Sequence, residues 1–253
     1  MTSTRRIWWR IARSKLEGRL PMPITHVAPV ERRESAAAIS RRRRVVGATS
    51  LLGTGLLGLS LSTKPGSNQF YGLTAAVAVT WTAGGLLSGP LHLGWIQSRD
   101  RRLRRPILTP VATGVGAFAF FYGCALVARR VPVLDRAIGN VLAFAEEGNS
   151  PLVVATTLAN GVGEELFFRG AIYAALDGDQ AVVVSTAVYT LATASTRNPA
   201  LMLAAGVMGT LFSMQRRASG GLQAPVLTHL TWSTLMVRYL PPLFRRAQGG
   251  PAR

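Results

Sequence analysis

The sequence predicts an all-α fold: a polytopic integral membrane bundle of about seven transmembrane helices, within a range of six to eight. The first observation behind this prediction is a series of apolar stretches, several of which exceed the roughly 18 residues that mark a membrane-spanning helix. The second is that charged residues are concentrated in the segments between those stretches. The seven stretches are Val45–Thr63, Phe70–Gln97, Pro106–Ala128, Gly148–Gly163, Gln180–Thr196, Asn198–Gln215 and Ala218–Val237.

The charge distribution excludes a soluble protein and a nucleic-acid-binding protein. The chain of 253 residues carries a net charge of +18, and residues 1–44 alone hold twelve Lys/Arg against three Asp/Glu, which is half of that charge. The remaining cations flank apolar stretches, where a membrane protein needs them, and do not form one basic face. A nucleic-acid partner is therefore not expected, whereas anionic lipid is expected at the basic tail, where Trp8 and Trp9 lie among cations. The competing interpretation of the tail is a disordered segment that only fixes topology.

The positive-inside rule orients the chain with a cytoplasmic N-terminus. The predicted inside segments hold nineteen Lys/Arg and the predicted outside segments hold nine. Inside segments are 1–44, 98–105, 177–180 and 215–219; outside segments are 64–69, 129–150, 196–199 and 238–253. The composition favours a bacterial cytoplasmic membrane.

Four regions follow from this pattern. They are a basic cytoplasmic tail (1–44), N-terminal transmembrane helices with the basic loop 98–105 (45–147), core transmembrane helices (148–240) and a C-terminal tail (241–253).

A charged cluster inside the fourth span carries the functional information. Glu164 and Glu165 follow thirteen apolar or neutral residues of the segment Pro151–Leu176, which places both carboxylates near the middle of the membrane. An ionisable residue at that depth costs about 2.5–3.5 kcal/mol on insertion scales and is by default a functional residue. Glu165 and Arg169 are four residues apart on one helical face and can neutralise each other, whereas Glu164 is rotated away and lacks that partner.

The residue chemistry of this cluster leaves three interpretations open. Glu164 can act as a general base that activates water. It can instead be a protonated hydrogen-bond donor within an ion-pair network that locks the bundle, or the site of a proton-coupled carrier.

The segment Glu164-Glu165-Leu-Phe-Phe-Arg169 resembles the Glu-Glu-x-x-x-Arg motif of the CPBP family, the CAAX-protease and bacteriocin-processing intramembrane endopeptidases. The resemblance implies that the first glutamate, with a histidine from a second motif, activates the attacking water. It also implies that a histidine and an Asn or Asp of a third motif bind the oxyanion.

The third motif is matched in part. The segment Ala224-Pro225-Val-Leu-Thr-His229-Leu-Thr-Trp-Ser233 is similar to Ala-Pro-x-x-x-His-x-x-x-Asn, with Ser233 at the Asn position. The residues alone leave open that His229 is a helix-packing histidine, and the flanking Ala-Pro and the interval of about sixty residues from the first motif favour the family role.

The second motif, Phe-x-x-x-His, is where the resemblance fails. Its counterpart is Tyr189-Thr-Leu-Ala-Thr193, in which Tyr189 replaces Phe and Thr193 occupies the His position. A threonine hydroxyl can orient water, but it neither takes up a proton near neutral pH nor binds zinc as imidazole does.

The resemblance covers roughly residues 150–240 and implies an intramembrane endopeptidase. The implied substrate is a membrane-embedded or lipid-modified protein or peptide, with Glu164 and His229 as catalytic residues and Glu165, Arg169, Thr193 and Ser233 in support. The alternative is an inactive relative that binds such peptides or scaffolds a membrane complex, and a proton-coupled carrier is the weaker third interpretation. No cofactor is predicted from the residues. The resemblance admits zinc, for which Glu164 and His229 are the candidate ligands.

Overall fold

The computed structural model describes residues 34–97, 102–148, 150–176 and 180–244. Most of the predicted basic tail, part of the loop 98–105 and the last nine residues lie outside the described residues. The expectations of a lipid-binding tail and of a cytoplasmic N-terminus fall on that part of the chain and stay predictions.

The described chain is a bundle of eight helices with one short β-ribbon. The helices are α1 (Ala36–Ser60), α2 (Asn68–Ser88), α3 (Leu108–Ala128), α4 (Pro132–Glu146), α5 (Ser150–Glu164), α6 (Ala181–Ala194), α7 (Pro199–Ser219) and α8 (Gln223–Tyr239). A π-helical segment, Glu165–Ile172, continues α5 directly. The antiparallel ribbon pairs β1 (Ile96–Gln97) with β2 (Leu103–Arg104), and a 3₁₀ turn at Pro241–Leu243 follows α8.

Each of the seven predicted apolar stretches overlaps a helix, but two boundaries differ from the prediction. The predicted second span, 70–97, is too long, because α2 ends at Ser88 where Gly89 adopts a φ of 144°. The predicted outside segment 129–150 contains the helix α4, which Pro132 and Asp135 favour in its first turn. Its apolar residues lie on one face only, and a search for uniformly apolar stretches does not find such a helix.

Two helices in the described part of the chain, Asn68–Ser88 and Leu108–Ala128, are long and apolar enough to cross a membrane by length and composition. The count of seven spans is therefore not confirmed. The predicted helical class is confirmed. The ribbon of two-residue strands is the one departure from an all-α fold among the described residues.

Glycines allow α1 and α2 to approach each other closely. Gly53 lies directly against the indole of Trp81, and Gly84 lies directly against the side chain of Thr49. A methyl group at either position would overlap the opposite helix. The small residues of this helix pair thus set the interhelical distance, as they do in many membrane proteins.

The arginines at residues 41–44 tie α1 to its neighbours. The fully buried Arg42 bonds to Glu34 and donates to Ser88 Oγ over 2.9 Å. Arg41 donates to the carbonyl of Leu87 over 3.0 Å, and Arg43 donates to that of Ala175 over 3.3 Å. α1 begins at Ala36 and includes these four arginines, whereas the sequence analysis placed the start of the span after them, at Val45.

The main apolar cluster surrounds the π segment. Trp81 stacks on Phe167 with ring centroids 4.8 Å apart, and Phe168 contacts the same indole at 5.0 Å. All three side chains are nearly or completely inaccessible to solvent. The segment that carries the charged cluster is therefore held in the best-packed region of the bundle.

Candidate active site

The two adjacent glutamates lie where regular α-helix changes to π-helix. Glu164 is the last residue of α5 and Glu165 is the first of the π segment. π-Helical turns are rare, are formed by i→i+5 hydrogen bonds and occur frequently at functional sites. The wider turn presents residues 165–172 to the surrounding helices in a register that a regular helix would not give.

Glu165 is the central acceptor of the site. Its Oε1 atom accepts a hydrogen bond from Arg169 Nη1 over 3.2 Å, so the ion pair that the four-residue spacing predicted is present. The same oxygen lies 2.8 Å from Nδ1 of His229 on α8. Glu165 and Arg169 are both fully buried, and Glu165 Oε2 has no hydrogen-bond partner among the described residues. One carboxylate oxygen thus joins the π segment to the third-motif histidine.

His229 is oriented by this contact. A carboxylate paired with Arg169 can only accept hydrogen bonds, so His229 Nδ1 must carry the proton and donate it to Glu165. The second ring nitrogen, Nε2, then faces Glu164, whose Oε2 atom lies 4.0 Å away. Phe212 stacks on the imidazole with centroids 4.7 Å apart and planes inclined by 19°. The ring is fixed on one edge by a charge and on one face by an aromatic side chain.

Glu164 has a partner that the sequence analysis did not foresee. The hydroxyl of Tyr189 on α6 donates a hydrogen bond to Glu164 Oε2 over 2.7 Å. Arg169 pairs with Glu165 and not with Glu164, as expected, and the phenol is the partner that the sequence analysis did not name. The missed signal was the replacement of the motif's Phe by a residue of the same shape that carries a hydroxyl.

Thr193 and Ser233 both line the cavity described below, and among the described residues neither makes a hydrogen bond to Glu164 or Glu165. Thr193 is buried, and its hydroxyl donates to the backbone carbonyl of Tyr189 over 2.9 Å. Ser233 is buried one helical turn beyond His229. The structure therefore gathers all six sequence-predicted residues in one region, but Tyr189, and not Thr193, is the residue of α6 that reaches Glu164.

A cavity of about 580 Å³ opens beside these groups and is lined mainly by apolar side chains. α1 to α8 all contribute to its wall, and Phe121, Cys124 and Met208 are typical lining residues. The predicted site residues that line it are Glu164, Thr193, His229 and Ser233, together with Tyr189. Glu165 and Arg169 lie behind this wall. A carboxylate and an imidazole thus face an apolar chamber.

The described residues do not fit a zinc ion. No group of three or more His, Cys, Asp or Glu in the described ranges is placed to hold a metal. The two candidate ligands, Glu164 Oε2 and His229 Nε2, are 4.0 Å apart, whereas two ligands about 2.0–2.1 Å from a tetrahedral zinc are separated by about 3.4 Å. Thr193 adds no ligand of the kind that zinc prefers.

One family model matches this region of the chain. Residues 147–235 match the family model described as type II CAAX prenyl endopeptidase Rce1-like. The match confirms the family resemblance drawn from the motifs, and the matched segment contains all six predicted site residues and Tyr189. It also supports, at the general level, an integral membrane protease. No curated protein and no solved structure matches the chain.

Proposed function

We propose that this protein is a CPBP-type intramembrane endopeptidase that uses a glutamate-activated water to hydrolyse a peptide bond of a membrane-embedded or lipid-modified protein. The observation that carries the proposal is the pair of Glu164 Oε2 and His229 Nε2, 4.0 Å apart on the wall of an apolar cavity. An oxygen atom at about 2.8 Å from both atoms forms an angle of about 90° with them, so one water fits beside the pair.

In the proposed reaction Glu164 accepts a proton from that water, and the resulting hydroxide adds to the scissile carbonyl carbon. The tetrahedral intermediate collapses with cleavage of the C–N bond, and the proton held by Glu164 passes to the departing amine nitrogen. Products are a carboxylic acid and an amine, so the carboxylate of Glu164 is regenerated without a further reactant.

The oxyanion is held by His229 and Ser233 in this scheme. His229 donates from Nε2 in its protonated form; Arg169 and His229 then share the Glu165 carboxylate, and the oxyanion itself supplies the second negative charge. Ser233 supplies a shorter donor than the Asn usual in the family. Removing one oxyanion donor typically costs about 100- to 1,000-fold in kcat, so this substitution alone slows the reaction without abolishing it.

The substrate class follows from the cavity and the family. An apolar chamber of about 580 Å³ suits an acyl or isoprenyl chain or the apolar side chains of a transmembrane peptide. The family description names a prenyl endopeptidase, which agrees with this chemistry. We place the protein in a bacterial cytoplasmic membrane with its N-terminus in the cytoplasm and anionic lipid at the tail, as the charge distribution favours.

The second candidate is an inactive relative that binds membrane peptides or scaffolds a membrane complex. Thr193 favours it, because its hydroxyl proton is given to the carbonyl of Tyr189 and no imidazole stands at that position. The buried Glu165–Arg169 pair would serve such a protein equally well, since its effect on packing is independent of turnover.

Quantitative membrane proteomics of cells that carry the native protein, Glu164→Ala, Thr193→His or the control Glu147→Ala distinguishes the two candidates. Glu147 is an exposed carboxylate at the end of α4. We expect an uncut precursor to accumulate with Glu164→Ala and to disappear with the native protein and the control. Equal profiles for the native protein and Glu164→Ala, with new cleavage in Thr193→His, would instead identify a binding protein built on a catalytic scaffold.

A further inference from the structure

We infer that Tyr189 is a positioning residue that holds the Glu164 carboxylate for catalysis, a task for which the family's second motif supplies a histidine one helical turn later. This inference rests on the proposed function. Its basis is the 2.7 Å hydrogen bond from the Tyr189 hydroxyl to Glu164 Oε2, the oxygen that also faces His229 Nε2. An ionised carboxylate oxygen has two lone pairs. Tyr189 occupies one and leaves the other directed at the water.

The phenol ring is itself held in place. Its centroid lies 4.8 Å from that of Phe168, and the Arg169 guanidinium lies 4.5 Å from the ring centroid. A methyl group at Gly209 would come within 3.1 Å of Tyr189 Cδ1, so this glycine leaves room for the ring. The hydroxyl therefore reaches Glu164 from a fixed position, and little conformational entropy is lost when the hydrogen bond forms.

Thr193 does not perform this task. Its hydroxyl proton is donated to the Tyr189 carbonyl, and it makes no hydrogen bond to either glutamate in the part of the chain that the structure describes. The family pattern combines a residue without a polar atom, Phe, with a histidine four residues later. This chain combines a phenol with a threonine. In this chain the polar group of α6 that reaches Glu164 is the phenol, at the position of the motif's Phe.

Tyr189→Phe isolates the hydroxyl, because the ring contacts with Phe168 and Arg169 persist in the variant. A reacting group that is misplaced by about 1 Å loses up to about 100-fold in rate. We therefore expect Tyr189→Phe to lower kcat about 10- to 100-fold, with KM changed by less than about 3-fold. The variant should retain the native unfolding temperature to within about 3 °C.

The decisive experiment is a double-mutant cycle in the full chain, reconstituted in phosphatidylethanolamine/phosphatidylglycerol vesicles. The probe is the precursor that accumulates in Glu164→Ala cells. In the Thr193→His background, where the family histidine is restored, Tyr189→Phe should cost less than about 3-fold. An equal loss in both backgrounds would show that Thr193→His does not relieve the need for the Tyr189 hydroxyl and would overturn the inferred exchange of roles. The control Tyr239→Phe removes the hydroxyl of an exposed tyrosine at the end of α8 and should leave the rate unchanged.

Failure of the inference is distinguishable from failure of the proposed function. If no precursor accumulates in Glu164→Ala cells, or if purified Glu164→Ala cleaves that precursor in vesicles, the proposed function is wrong. If Glu164→Ala is inactive but Tyr189→Phe is fully active, only the role of Tyr189 is wrong. An infrared carboxylate band, isolated as the difference between native and Glu164→Gln protein, tests the hydrogen bond without substrate. We expect the band to shift in Tyr189→Phe, and an unshifted band would contradict the inference even in a protein without activity.

Discussion

Replacing Arg169 by methionine should strongly destabilise this protein. Arg169 and Glu165 are both fully buried, with Nη1 and Oε1 3.2 Å apart. The substitution keeps an apolar stem but leaves the Glu165 carboxylate uncompensated except by His229. Breaking one side of a buried ion pair costs about 3–5 kcal/mol. At about 2–4 °C per kcal/mol for a chain of this size, the unfolding temperature should fall by about 6–20 °C.

The assay is thermal unfolding of purified protein in detergent micelles, with Arg130→Met as the matched control. Arg130 is exposed, and its substitution should change the unfolding temperature by less than about 2 °C. The double variant Glu165→Gln/Arg169→Met removes both charges and should recover at least half of the loss, because the cost arises from an unpaired buried carboxylate. An unchanged unfolding temperature for Arg169→Met, or a double variant less stable than the single one, would refute this reasoning.

Three further predictions concern packing and the oxyanion. Gly53→Ala should destabilise the protein by about 1–3 kcal/mol because the new methyl group overlaps Trp81. Gly55→Ala, with no atom within 4 Å of the added methyl group, should be neutral or slightly stabilising; equal unfolding temperatures for the two variants would contradict the helix packing. Ser233→Asn, which extends a hydrogen-bond donor into the cavity, should raise kcat about 10-fold in the vesicle cleavage assay, and a lower kcat would argue against an oxyanion role. Phe212→Leu removes the stacking partner of His229 and should lower kcat by up to about 10-fold, with some loss of stability because Phe212 is fully buried; full activity would show that Glu165 alone orients the ring.

The sequence predicted those features that depend on local spacing. Glu165 and Arg169 are four residues apart, which brings them together on a single helix whatever the neighbouring helices do. The family resemblance was drawn from the same short motifs and is confirmed by the match over residues 147–235.

The features that the sequence did not predict depend on how one helix is rotated relative to another. The hydrogen bond from Tyr189 to Glu164 and the contact of His229 with Glu165 both join separate helices, and hydrophobic patterning does not fix that rotation. The π-helical turns of residues 165–172 cannot be recognised from a hydrophobic pattern that is analysed with a period of 3.6 residues. The sequence analysis did not predict α4, because it searched for uniformly apolar stretches and the apolar residues of α4 cover one face only.

Glu165 Oε1 contacts both Arg169 and His229, and this has a consequence for how related sequences are classified. The atom that neutralises Arg169 also orients His229, so losing either Glu165 or Arg169 alone leaves a buried charge unpaired, whether or not the protein is catalytic. Selection for folding alone therefore preserves two of the three charged positions of the Glu-Glu-x-x-x-Arg motif. The positions that distinguish the proposed enzyme from an inactive relative are Glu164 and its hydrogen-bond donor, because the proposed reaction uses them directly. This chain keeps both members of that pair, the Glu164 carboxylate and the Tyr189 phenol.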